Sequence, residues 1–388
     1  MVAAGTLAMV FTFGTPYSYG VFLGPFEELY GLSSVTLSTV FSLQLFLFYA
    51  GAGVIGVLAS RFPSRRVLLA CGVVTGLLAP ALYVVDSYLG LVVVFGVQGA
   101  ALGTVFVELA SVVPQWFDEQ RATATGVLMA GAGVSLLVVP PAWQFAFDRV
   151  GVPTGFLAIG LASAAAFLAA GAVGRRPPWL VASASSLSGL RSWLVGLLGN
   201  PQFRVLVLGV GLSFAWYYVL ASFAIELFQA RGLSATAASV AFGLIGGVSV
   251  LSRLGAGAVA DRVGYRVTLL AGLASTGLGT VALALPGVYA LAAAVFCYGI
   301  GLGVIGSLYI PVLLSVFDPV RDTAIVGVFN VVFGVFALFT PPIGTALVAA
   351  TGSFEPAIAL TGLTTVVSIS AVWFGTRPGA WTCATRPG

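Results

Sequence analysis

Apolar runs near residues 2–24, 35–59, 67–85, 88–113, 122–147, 153–174, 203–228, 236–259, 267–285, 288–316, 323–349 and 355–375 alternate with short polar turns. A helix of about 20 apolar residues crosses the hydrocarbon core of a bilayer. The pattern therefore predicts an all-α membrane protein with twelve transmembrane helices. The first run has no basic stretch before it, so it reads as a retained helix and not as a cleaved signal.

The longest polar interruption runs from Arg175 to Gln202 and carries Pro177-Pro178 and a Ser/Gly-rich run, Ala182 to Gly189. The stretch around Leu190–Leu198 is amphipathic, with Arg191 and Trp193, and predicts a short interfacial helix. The remainder reads as linker. The expected organisation is a six-helix bundle over 1–174, a linker over 175–202, a second six-helix bundle over 203–376 and a tail over 377–388.

Composition agrees with the pattern. Of 388 residues, 59% are hydrophobic and 7% charged, against about 25% charged in soluble domains. There is no His, and all 16 basic residues are Arg. The commonest general base and metal ligand is thus missing. Cys71, Cys297 and Cys383 are too scattered for a metal site. No enzyme, metal or cofactor is expected. The net charge of +4 does not imply nucleic acid, because the arginines gather at helix ends. If the N-terminus is cytoplasmic, thirteen loop and tail arginines lie inside and only Arg149 and Arg231 outside. The positive-inside rule then puts both termini and the linker in the cytoplasm of a multi-pass plasma-membrane protein.

The two halves repeat. Gly56 to Arg65 aligns with Gly257 to Arg266 at an offset of 201, as does Pro140-Pro141 with Pro341-Pro342. An even number of spans separates the copies, so both halves share one orientation. Two such halves, related by an axis along the membrane normal, make a transporter plan with its site near the midplane between them. The proline pairs are expected to kink or break their helices. Gly51-x-Gly53-x-x-Gly56 and Gly301-x-Gly303-x-x-Gly306 match a dinucleotide fingerprint as text, but neither follows a strand. They read as small-residue faces for close helix packing.

One basic residue departs from the helix-end rule. Arg253 sits eight residues before the turn at Asp261, roughly 12 Å up a helix. Charge at that depth is costly and needs a partner, a wet cavity or a ligand. The guanidinium fork fits a carboxylate, while a structural ion pair or a carbonyl clamp is the plainer alternative. Glu108, eight residues before Trp116, is the single acid equally deep. It reads either as a proton carrier or as a structural partner of Arg253 or Arg65. At the same offset of 201, Glu108 matches Tyr309 and Tyr17 matches Tyr218. These tyrosines and Asn330, at similar depth in the eleventh run, are candidates for substrate contact or for helix packing.

The sequence Gly257-x-x-x-Asp261-Arg262-x-Gly264-x-Arg266 resembles the loop signature of the major facilitator superfamily. A degraded copy follows the second run, with Ser60 and Ser64 in place of the Asp and Gly. Tyr17-Ser-Tyr-Gly-Val-Phe-Leu and the Arg253/Gly257 pair narrow the resemblance to the monocarboxylate transporter and oxalate:formate antiporter group. The resemblance implies a secondary transporter working by alternating access, with Arg253 binding the substrate carboxylate. Arg61, Arg65, Asp261, Arg262 and Arg266 would form a conformational latch. The expected partners are a small organic anion, above all a monocarboxylate, and a proton. The alternative is an antiporter or an exporter of amphipathic drugs on the same fold. The protein is expected to sit in the bilayer as a monomer.

Overall fold

A computed structural model of the chain describes residues 1–55, 62–113, 116, 121–174, 190–316 and 322–377. Every regular element among them is helical. In order these are α1 (Val2–Gly14), α2 (Tyr19–Tyr30), α3 (Ser34–Ala50), α4 (Ser64–Leu78), α5 (Tyr88–Val112), α6 (Arg121–Val150), α7 (Val152–Val173) and α8 (Leu190–Gly199). The second half holds α9 (Pro201–Leu212), α10 (Ala215–Ala221), α11 (Ala224–Ala230), α12 (Ala235–Val263), α13 (Tyr265–Ala284), α14 (Val288–Val316), α15 (Asp322–Thr351) and α16 (Glu355–Gly375).

Among the described residues, eleven helical stretches are long and apolar enough to cross a membrane. The first expected span differs: it is two shorter helices, α1 and α2, joined through Thr15–Ser18. Pro16 cannot donate a backbone hydrogen bond, and Ser18 Oγ caps the gap by donating to the Gly14 carbonyl at 2.5 Å. The matching stretch of the second half is also interrupted, between α9, α10 and α11. There Ser213 and Ser222 donate to the carbonyls of Val210 and Val219, each at 2.6 Å. At these breaks short hydroxyl side chains add hydrogen bonds to the backbone carbonyls.

The proline pairs do not break their helices. Both α6 and α15 run unbroken through them. In α15, Thr345 donates to the carbonyls of Pro341 and Pro342 at 3.2 and 3.1 Å.

Glycines set how closely the helices approach. A Cβ at Gly103 would lie 1.9 Å from the Phe48 carbonyl oxygen, and one at Gly99 2.2 Å from that of Gln44. α5 therefore rests on α3 backbone to backbone. A Cβ at Gly246 would meet the Leu136 side chain at 2.2 Å, which seats α12 of the second half on α6 of the first. Without a hydrophobic drive between helices in lipid, such close packing carries their association.

The halves are hydrogen-bonded to each other on the side away from the termini and α8. There Ser38 Oγ and Thr345 Oγ1 share a hydrogen bond of 2.9 Å, and Tyr19 donates to the Tyr218 carbonyl at 3.0 Å. The side of the termini and α8 is called the linker face; near it a Cβ at Gly53 would lie 3.1 Å from the Gly327 carbonyl oxygen, a further contact between the halves. Gly126 lies one turn from Met129, and Gly257 one turn from Arg253, on helix faces that line the central cavity. A Cβ at either would meet nothing within 4 Å.

This packing sets a stability expectation. Gly103→Ala puts a methyl group against immobile backbone and is expected to cost about 1–3 kcal/mol, the usual range for overpacking. Gly24→Ala, where a Cβ meets nothing within 4 Å, is expected to be neutral or slightly stabilising. Thermal melts of the two purified variants in one detergent check this; equal melting temperatures would contradict it.

Candidate functional site

Arg253 lines a cavity of about 80 Å³ between the halves. The same cavity is lined by Tyr17 from the break in the first span, Tyr49 on α3, Tyr309 on α14 and Asn330 on α15. Four phenylalanines, Phe13, Phe106, Phe214 and Phe333, also line it, and Met129, Ala132, Leu136, Leu302 and Gly306 complete the wall. Phe333 is the aromatic hub, with ring centroids 5.2 Å from Phe214, 5.4 Å from Tyr309 and 5.8 Å from Tyr49.

The electrostatics of the cavity are lopsided. The groups within electrostatic reach of the Arg253 guanidinium are the hydroxyls of Tyr17, Tyr309 and Tyr49. Its Nε is buried and has no hydrogen-bond partner among the described residues. Among the described residues no carboxylate forms an ion pair with it. A guanidinium so placed offers parallel N–H donors to an incoming anion. Nothing in the cavity wall competes for that role.

Behind Tyr17 stands a chain of hydroxyls. Tyr218 donates to Tyr49 at 2.9 Å, and Tyr49 in turn bonds to Tyr17. The Tyr17 ring lies 5.3 Å from that of Tyr217 and 6.3 Å from that of Tyr218. The chain joins α3 and the first span of one half to α10 of the other. It also closes the cavity on the side away from the linker face.

The structure therefore brings together Arg253, Tyr17, Tyr309 and Asn330 around one cavity, with Tyr218 one layer behind. It does not bring Glu108 there. Glu108 is 3% exposed and absent from the cavity wall. It is within electrostatic reach of Cys71 on α4, and one helical turn away Thr104 shares a groove with Cys71. Tyr49 was not a candidate from sequence. It lies inside an uninterrupted apolar run, where nothing separates a tyrosine in a cavity wall from one in packing.

The latch residues fall in different places. Arg61 lies outside the described residues. Arg65, Asp261 and Arg262 are exposed. Asp261 accepts a hydrogen bond from the Tyr265 hydroxyl, one turn on, at 3.2 Å. Arg266 donates to Thr376 Oγ1 at 2.9 Å and to the Trp373 carbonyl at 3.1 Å, and its guanidinium lies 4.6 Å from the Trp373 ring centroid. It thus ties α16 to the start of α13 within one half. No group of acidic, Cys or His side chains among the described residues has the arrangement of a metal site.

Comparison with known proteins places this architecture. The family profile described as Major Facilitator Superfamily matches residues 4–318 and, in a second match, 205–382. Monocarboxylate transporter 2 of Mus musculus is 24% identical over 95% of this chain and 81% of its own length. Monocarboxylate transporter 3 of Rattus norvegicus is 27% identical over 92% and 75%. The MFS transporter asaE of Aspergillus flavus is 27% identical over 88% and 78%. Among solved structures, a bacterial homolog of the human lysosomal transporter Spinster superposes with a TM-score of 0.74 at 15% identity, covering 97% of this chain and 96% of that one. With most of both halves matched, the chain belongs to the major facilitator superfamily of membrane transporters.

Proposed function

We propose that this transporter carries a small organic anion, a monocarboxylate, which binds through its carboxylate to Arg253. The observation that carries the reading is a deeply placed guanidinium with no ion-pair partner among the described residues, at the wall of a cavity between the halves. The cavity holds one cation and many aromatic rings, which suits one carboxylate on a short apolar body. At about 80 Å³ it is far below the roughly 300–1,000 Å³ of drug-sized sites. Size thus argues against an exporter of large amphipathic compounds. The relatives named monocarboxylate transporters support the same substrate class.

Alternating access would open the cavity first to one side and then to the other. The linker face, with thirteen of the fifteen loop and tail arginines, is assigned to the cytoplasm. The charge of the cavity also bears on coupling. An empty carrier must take an uncompensated cation through a closed, low-dielectric state, whereas a loaded carrier is nearly neutral. This favours exchange of one anion for another over return of the empty protein. Proton coupling is the second reading, with Glu108 as the carrier. Because Glu108 faces α4 and not Arg253, its proton would act by biasing the conformation and not by competing for the guanidinium.

Three outcomes are expected. Counterflow in proteoliposomes with radiolabelled 2-oxo and short-chain carboxylates identifies the substrate. Arg253→Lys keeps the charge and loses the fork, so it is expected to reduce that counterflow at least about tenfold, since hydrogen bonds to charged groups are worth about 1.5–3 kcal/mol. Wild-type counterflow in Arg253→Lys would end the assignment.

Glu108→Gln mimics the protonated acid. If Glu108 carries a coupled proton, the variant keeps exchange but loses accumulation driven by a pH gradient. Retained pH-driven accumulation removes Glu108 from proton coupling.

For orientation, a cysteine at Ser185 in a cysteine-free background is expected to resist an impermeant maleimide applied to intact cells. One at Tyr289, which is 90% exposed on the other face, should react. The reverse pattern would invert the topology.

A further inference from the structure

The wall behind Arg253 is as unusual as the space in front of it. A Cβ built on Gly306 of α14 would lie 2.8, 2.9 and 3.0 Å from Nη2, Nη1 and Cζ of Arg253. Both terminal nitrogens are nearer than Cζ, so the Nη1/Nη2 end of the guanidinium abuts the helix backbone at that position. One turn earlier, a Cβ at Gly303 would fall 1.8 Å from Ser252 Oγ and 2.5 Å from the Ser249 carbonyl oxygen. Gly303 therefore brings the backbones of α14 and α12 together, and Gly306 leaves the slot into which the side chain folds back.

Resting on the assignment of Arg253 as the carboxylate ligand, we propose that Gly306 is the positioning residue of the substrate site. It leaves room for the Nη1/Nη2 end of the guanidinium against α14. The group is held in one orientation, and the depth of the cavity in front of it is fixed. Arginine loses much rotamer freedom when ordered. A preformed slot removes that cost from the binding step. Any side chain at 306 must displace the guanidinium, and the nearest free space is the 80 Å³ cavity itself.

The clash is with the tip of a long, flexible side chain, so the fold should tolerate Gly306→Ala while the site does not. The variant is tested in proteoliposomes by exchange of pyruvate, 2-oxobutyrate and 2-oxopentanoate. The expected result is a half-saturating concentration raised about tenfold, the cost of one weakened charge-assisted hydrogen bond. Maximal exchange is expected to stay within about twofold, the penalty to grow with chain length, and the melting temperature of the empty protein to be unchanged. Gly301→Ala is the structural control. Its Cβ meets Thr276 on α13 at 2.2 Å, on a contact between α14 and α13. It is expected to lower the melting temperature and leave half-saturation unchanged.

Unchanged half-saturation in Gly306→Ala, with Arg253→Lys still impaired, overturns the seat alone. A penalty equal for all three acids and matched by a lower melting temperature overturns it too, by making Gly306 merely structural. Full exchange in Arg253→Lys overturns the underlying assignment instead.

Discussion

A guanidinium held deep between two helical bundles, with aromatic rings and hydroxyls for neighbours and no carboxylate paired to it among the described residues, is the constraint on which this structure turns. Removing a cation from water costs several kcal/mol even after relaxation. An ordinary core would lower that cost with a paired acid. This one leaves the group at the wall of a cavity, bordered by Tyr17, Tyr49, Tyr309 and Asn330. Stability is conceded at that point, and a ligand anion is the group that can recover it.

The remainder of the fold holds that arrangement in place. Glycine contacts seat α5 on α3 and α12 on α6, and breaks in the first span of each half carry Tyr17 and Tyr218 to the interface. The hydroxyl chain from Tyr218 through Tyr49 to Tyr17 ties the second half to the first at the closed end of the cavity. Such a chain has to break when the halves part on that side, so the bonds that shape the cavity also belong to its gate.

Much of this was legible in the sequence. Run length and charge placement gave the membrane helices, and the duplication gave the pairing of Tyr17 with Tyr218. Depth was legible too, because it follows from counting residues to the nearest turn. Azimuth was not. A helix that is apolar all round has no polar face to say which way a residue points. Glu108 shows the consequence. Phe106 lines the cavity, and two residues further on the helix has turned roughly 200°. Glu108 therefore faces α4 at the expected depth but on the other side. Tyr49 was invisible for the same reason. Neither proline pair breaks its helix, whereas α1 ends just ahead of the single proline at position 16.

The central claim is that a substrate carboxylate supplies the counter-charge that Arg253 lacks. It is tested most directly by comparing the acid that performs best in counterflow with its own primary amide. The two match in shape and differ in charge. Binding is read as the rise in melting temperature of the purified protein at matched concentrations. The account predicts clear stabilisation by the carboxylate, none by the amide, and loss of the carboxylate effect in Arg253→Gln. Equal stabilisation by acid and amide, or a carboxylate effect that survives Arg253→Gln, would contradict it.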